Sequence, residues 1–463
     1  MRSSRFCVNF ILGALLSANA NLLWADDLLA LYRDALTSNP KYLAMRADSA
    51  AQREALPQAR AQLLPNLSMN GAKSKRETEQ TSMSFGRPVT SERDYDSYNY
   101  ALALRQPLFR PYNFALYAQA KKQVASADAS QEQALQDVAV TVGGAYFDVL
   151  LAQSEVMLNL AQQEAYKAQM EFAEKAFRAG RGTRTDIDEA ISRLDLTRAQ
   201  AIELGYRQEQ ALDALSKVVG RPLQPLSQLD PERVDLVAPD PVRLADWVQA
   251  AEEVNPQLRA LRANVEAAEM EVWKARSGHL PTVDLIAQRS RSDSDSDTSI
   301  GSKYDTKMLG VQVSIPLFAG GQVNSQVRQA QARLEKERQM LEGARRDVAL
   351  QVRKEFDAAS QGVHWVKAYE QAVRSAEQTL YSTRKGFQAG TRGNLDILNA
   401  EQNLATAKRD LNRGRYQYVL ARLKLLALVG RLDDESMAHF NAWLQGGKAV
   451  MSAETVADGA DGA

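Results

Sequence analysis

The sequence predicts a mainly α-helical chain made of one large unit used twice, in which long-helix hairpins alternate with strand pairs suited to a membrane β-barrel. Three observations predict it. Phe177–Ala190 reads FRAGRGTRTDIDEA, and Phe387–Ala400, 210 positions later, reads FQAGTRGNLDILNA. The spans 112–177 and 322–387, 66 residues each, contain no proline. Segments near 95–107 and 306–315 alternate apolar with polar or small side chains. A period of 210 residues is far longer than a solenoid repeat, so it marks a duplicated structural unit packed about an axis.

In chain order, residues 1–25 read as a secretory signal peptide. Arg2 and Arg5 precede a short apolar run, and Ala25 is followed by the charged pair Asp26-Asp27. The only cysteine, Cys7, lies inside that segment, so the mature chain is expected to use neither disulfides nor thiolate chemistry. Basic and acidic residues balance at 57 each, which gives no basic surplus for nucleic acid. No mature stretch reads as a membrane helix. A membrane-inserted form of this chain is therefore expected to cross with strands.

The first unit, 26–220, opens with an amphipathic segment, Asp27–Ser38. Asn39-Pro40 then reads as a cap and first helical position, starting a helix that runs to about Gln62. Leu64-Pro65 stops it. Strands are expected at 66–76 and 95–107, separated by a polar stretch. In the second of these, Tyr98, Tyr100, Leu102 and Leu104 share one face while Asn99, Ala101, Ala103 and Arg105 share the other. A half-buried soluble hairpin and an outer-membrane barrel both fit that pattern. From Tyr112 a helix of 66 residues follows, about 100 Å long at 1.5 Å per residue. A Gly-containing turn leads to a return helix over 184–219.

A linker, 221–240, joins the second unit, 241–432. There Asn255-Pro256, Leu280-Pro281 and Pro316-Leu317-Phe318 repeat Asn39-Pro40, Leu64-Pro65 and Pro107-Leu108-Phe109, with strands expected near 282–290 and 306–315. Its return helix carries Ile397, Ala400, Leu404, Ala407, Leu411, Gly414, Tyr418, Ala421, Leu425 and Leu428 at 3-4 spacing, a heptad seam that the first copy matches from Ile187 to Val218. Each return helix covers only half of its long partner. Stacking the shorter helix, 41–62, end to end on it would cover the remainder. The tail, 433–463, is read as partly disordered, above all its Gly/Ala/Asp-rich part after Gly446.

Four strands per chain cannot close a barrel, and lipid does not satisfy a free strand edge. Assembly of several copies is therefore required: two would give eight strands and three would give twelve. No catalytic set stands out. His279, His364 and His439 have no metal-ligand spacing. The run Asp293-Ser-Asp295-Ser-Asp297 lacks the turn glycine and terminal glutamate of a calcium loop, so it reads as an acidic external loop.

Taken as one duplicated set, the turns Gly180–Ile187 and Gly390–Ile397, the Asn-Pro helix starts, the Leu-Pro strand entries and the Pro-Leu-Phe exits resemble the TolC family of outer-membrane channel proteins over about 26–432. The resemblance implies a homotrimer with a twelve-stranded barrel in outer-membrane lipid and an α-helical tunnel through the periplasm. It also implies docking on an inner-membrane ABC or proton-driven exporter through a periplasmic adaptor, the membrane-fusion protein. No enzyme activity, cofactor or metal is implied. Asp396 matches a ring of aspartates at the periplasmic constriction, and Asn399 matches a second ring position where an aspartate also occurs. Arg392 matches a basic latch residue that ties the inner hairpin to Thr185 and Asp186 of the outer one, and Phe387 stands where a tyrosine hydroxyl can join. From the residues alone, Asp396, Thr185 and Asp186 also read as helix-start caps, and Arg392 as a solvated turn residue. The absence of a lipoprotein cysteine and the short plan resemble the type I protein-secretion branch; a multidrug-efflux duct and, from a different class, a soluble periplasmic coiled-coil adaptor are the alternatives.

Overall fold

A computed structural model describes residues 25–445 apart from 297–298. The expected signal segment through Trp24 and the tail from Gly446 lie outside the described residues. In the first half, α1 (Leu28–Ser38), α2 (Pro40–Arg53) and α3 (Ala55–Ala61) lead into β1 (Asn66–Ser84) and β2 (Arg87–Phe109), then α4 (Pro111–Arg178) and α5 (Arg184–Val219). The second half gives α6 (Leu244–Val254), α7 (Pro256–Arg276), β3 (Thr282–Ser296), β4 (Ser299–Ser314), α8 (Gln322–Gln388), α9 (Asn394–Leu428) and α10 (Asp434–Ala442).

The expected helix at 41–62 is broken in two. Pro57 is the reason: it lacks an N–H and crowds the carbonyl of Arg53, where α2 ends. The second copy has Trp273 at the matching place, and α7 runs 21 residues without interruption. End-to-end stacking is made by the two Asn-Pro asparagines. Asn39 accepts from Lys41 and Tyr42 N–H at the start of α2, while its Nδ2 donates to the Val218 carbonyl at the end of α5, 3.2 Å away. Asn255, only 2% exposed, does the same between Leu258 N–H and the Leu428 carbonyl. One side chain caps two helices.

The four strands form one antiparallel sheet in the order β1-β2-β3-β4. They are longer than expected, because the polar stretch between 76 and 95 is strand on both sides of a two-residue turn. Ser84 pairs with Arg87 around Phe85-Gly86, both at positive φ as a two-residue hairpin turn requires. Ladder hydrogen bonds belong to the backbone, so polar side chains such as Thr81 and Thr90, 3.0 Å apart, do not interrupt them. The acidic run likewise lies on β3 up to Ser296, with Asp293 paired to Lys303 at 3.0 Å, and only Asp297 falls outside the described residues.

Leu67, Met69, Leu102, Leu309, Val311 and Val313 stand on one exposed face of the sheet. On the other face, at the corner where the sheet meets the helices, Asp284 is buried between Arg105 at 2.7 Å and Arg110 at 2.8 and 2.7 Å. Two guanidiniums offset the cost of removing that carboxylate from water.

The largest core sits midway along the helices. Phe147 and Leu150 of α4 pack with Leu28, Leu31 and Tyr32 of α1, Leu423 of α9, and Phe440 and Trp443 at the chain's far end. Each buried side chain of this size contributes about 1.5–3 kcal/mol. The tail's first part is thus a docked helix, α10, rather than loose chain. Arg221 adds an ionic tie between Asp26 at 2.8 Å and Asp34 at 2.8 Å. An 18-residue window of α4 is apolar and long enough to cross a membrane by composition, contrary to the sequence reading, but 50% of it is buried within the protein.

Candidate gate at the hairpin turns

Both long helices end in the same way. Gly180 and Gly390 take positive φ, 71° and 74°, and the following amides reach back to Ala176 and Gly386 carbonyls at 2.9 Å each. Glycine serves this left-handed cap without a Cβ penalty. The return helices then start with acidic caps. Asp186 accepts from Thr183 N–H at 2.9 Å and from its hydroxyl at 2.7 Å, while the Thr183 hydroxyl accepts from Asp186 N–H at 3.2 Å. Asp396 accepts from Gly393 N–H at 2.9 Å. Glycine has no side chain to reciprocate, so α9 carries half a capping box and α5 a whole one.

Within one protomer the expected latch residues do not meet. Arg392 is exposed and its stem lies over Gly386, where an added Cβ would stand 2.8 Å from Cγ. Among the described residues it makes no ion pair or hydrogen bond. Thr185 is likewise exposed, without a side-chain hydrogen bond among the described residues. The Phe387 ring packs edge-on against Phe172 of α4, with centroids 5.4 Å apart at 70°. Asn399 is exposed and accepts from Arg193 Nη2 of α5 at 3.1 Å.

Beyond Phe387 and Asn399, the contacts that join the two hairpins were not anticipated. Leu398, fully buried, sits against Tyr166 of α4 and Leu194 of α5, with Met170 at the edge. Burial pushes the Tyr166 phenol above its ordinary pKa, and Gln162 donates to its oxygen at 2.9 Å. Asn394, 4% exposed, donates to the Asp186 carbonyl at 3.2 Å and accepts from Gln169. Arg193 also donates to Gln402, and farther up α9 Arg413 pairs with Glu155 of α4 at 3.1 Å. A signal for these lay in the places where the repeats differ. Leu398 stands opposite Asp188 and Asn394 opposite Arg184, so the second copy has an apolar side chain and a neutral amide where the first has charges.

The arrangement is a hinge-like end to two helix pairs: an apolar pin flanked by amide and guanidinium ties, with one carboxylate per turn. The profile of the family described as outer membrane efflux protein matches residues 31–221 and 247–431. The alkaline protease secretion protein of Pseudomonas aeruginosa is 34% identical over 435 residues, covering 94% of this chain and 90% of that protein. The proteases secretion protein of Dickeya chrysanthemi is 33% identical over 94% of this chain and 95% of its own length. Among solved structures, the outer membrane protein VceC of Vibrio cholerae superposes with a TM-score of 0.74 at 21% identity, covering 88% of this chain and 97% of that one.

Proposed function

The chain belongs to the outer membrane efflux protein family, and from that premise we propose that it is the outer-membrane duct of a type I protein-secretion system. The observation that carries the proposal is the union, in one protomer, of an open four-stranded sheet with an apolar outer face and two helix hairpins about 100 Å long. Three copies would close twelve strands into a barrel and set six hairpins into a tube. A pump in the inner membrane, an ABC exporter reached through a periplasmic adaptor, would hand its cargo to the hairpin end. The tube itself needs no catalytic group; its work is to seal and to open.

At the entrance, Asp396 supplies one carboxylate per chain near the axis, and three such charges attract cations. Arg392 and Phe387 lie on the inner hairpin and Thr185 and Asp186 on the outer. Because Arg392 does not reach them inside a protomer, its tie is assigned to the neighbouring one. Protein cargo is favoured by the similarity to two protease secretion proteins over nearly their whole length. A small-molecule efflux duct is the second reading, favoured by the family's description. Deleting the gene distinguishes them: we expect one or more secreted proteins to vanish from the medium with drug sensitivity unchanged. Hypersensitivity with an intact secretome would replace the first reading by the second.

A further inference from the structure

We infer that Arg193 is a positioning residue of the closed entrance, and that it holds Asn399 outward against the outer hairpin instead of leaving it to line the axis. The inference deepens the duct reading and rests on it. Arg193 projects from α5, nearly three turns beyond the Thr183 cap. Its Nη2 donates to Asn399 Oδ1 at 3.1 Å, and its Nη1 donates to Gln402 Oε1 one turn farther along α9. A planar guanidinium can bridge two acceptors in this way, whereas a lysine ammonium cannot hold both in fixed geometry. Immediately below the bridge, Leu398 fills the site formed by Tyr166, Leu194 and Met170. On its far side Asn394 is bonded to Gln169 and to the Asp186 carbonyl. Three successive features of the first turns of α9 therefore grip the outer hairpin of the same chain.

The consequence is chemical. With Asn399 engaged, each chain offers the entrance a single carboxylate, Asp396. A carboxylate placed at 399 would first satisfy Arg193, because a charge-assisted bond to arginine is stronger than the amide bond it replaces. It would join the constriction only after Arg193 is removed. The two positions are thus coupled, and a double-variant cycle separates this arrangement from a pore-lining one.

The test uses the full-length purified channel in planar bilayers, with hexaamminecobalt(III) as a blocking cation on the periplasmic side. Arg193→Ala is expected to raise the open-to-closed ratio about tenfold, the weight of roughly one charged hydrogen bond. Arg193→Lys should recover part of that loss. Asn399→Asp alone is expected to leave the blocking concentration within about twofold of wild type, while Arg193→Ala/Asn399→Asp lowers it by about tenfold or more. Equal block in Asn399→Asp with and without Arg193 would overturn the inference. A second measurement does not depend on current: amide hydrogen exchange over 394–402 should speed by about tenfold in Arg193→Ala. Unchanged exchange sinks the clasp, whereas a wild-type protein that conducts no ions sinks the duct reading and leaves the exchange result to judge the clasp.

Discussion

Gly143 shows how closely the two halves approach. A Cβ added there would lie 2.6 Å from Leu423 Cδ1, and Leu423 is fully buried in the main core. Its neighbour Gly144 has nothing within 4 Å in the protomer. Gly143→Ala should therefore overpack the α4–α9 contact and cost about 1–3 kcal/mol. Gly144→Ala should cost nothing, since alanine is favoured over glycine in a helix interior by about 1 kcal/mol. Thermal unfolding of the two purified variants checks the order; equal midpoints would refute it. At this scale the candidate gate was only partly legible. Asp186 and Asp396 are visible as helix-start caps because a cap is a local contact with fixed spacing. Arg193 and Gln169 are not, because their partners lie on another hairpin and polar residues on a helix surface look alike until a neighbour is placed. Leu398 and Asn394 were the clues, an apolar side chain and a neutral amide where the first repeat has Asp188 and Arg184.

Helix-scale structure was legible wherever it depends on period and punctuation. The return helix 184–219, both long helices and the seam all follow from proline absence, glycine turns and 3-4 spacing, and every seam position from Ile187 to Val218 and from Ile397 to Leu428 is buried or half-buried. What hydropathy missed was the upper half of the strands and α10, since backbone pairing and docking onto a distant core leave no alternation in the chain itself. The Asn-Pro pair turned out to do more than start a helix. Asn255 donates to one helix end and accepts from the next start, and both jobs need the carboxamide. Asn255→Asp keeps the acceptor but loses the donor, and it sets a negative charge against the Leu428 carbonyl at the negative end of the α9 dipole. Asn255→Ser keeps a cap at lower reach. The aspartate variant should lose about 2–3 kcal/mol and the serine variant about 1 kcal/mol. Chemical denaturation of each checks the ranking; an aspartate variant as stable as wild type would mean that the junction is held by packing alone.

In the whole molecule the duplication supplies the geometry of assembly. Within one chain β2 pairs with β3, so the second half follows the first around the sheet, with Leu104 opposite Ala287. The free edges are β1 and β4. If neighbouring chains join as the halves do, β4 of one protomer pairs with β1 of the next. Aligning Phe109 with Phe318 carries Leu104 onto Val313, and aligning Pro281 with Pro65 carries Ala287 onto Gly71. Val313 and Gly71 should then face each other across the junction. Both belong to the apolar face: Val313 is paired with Val283, and Gly71 with Tyr100. Directly opposed Cβ atoms on paired antiparallel strands lie about 4.5–5.5 Å apart. Cysteines at Gly71 and Val313 should therefore link when oxidised, in a chain whose only native cysteine is Cys7. The products on a denaturing gel should be dimer and trimer, with nothing larger, because a closed ring of three leaves no free edge. Shifting one cysteine to Gln312 turns that side chain to the other face of the sheet and should abolish the link. A ladder beyond three chains, or equal linking from both positions, would show that the halves do not prescribe how the chains meet.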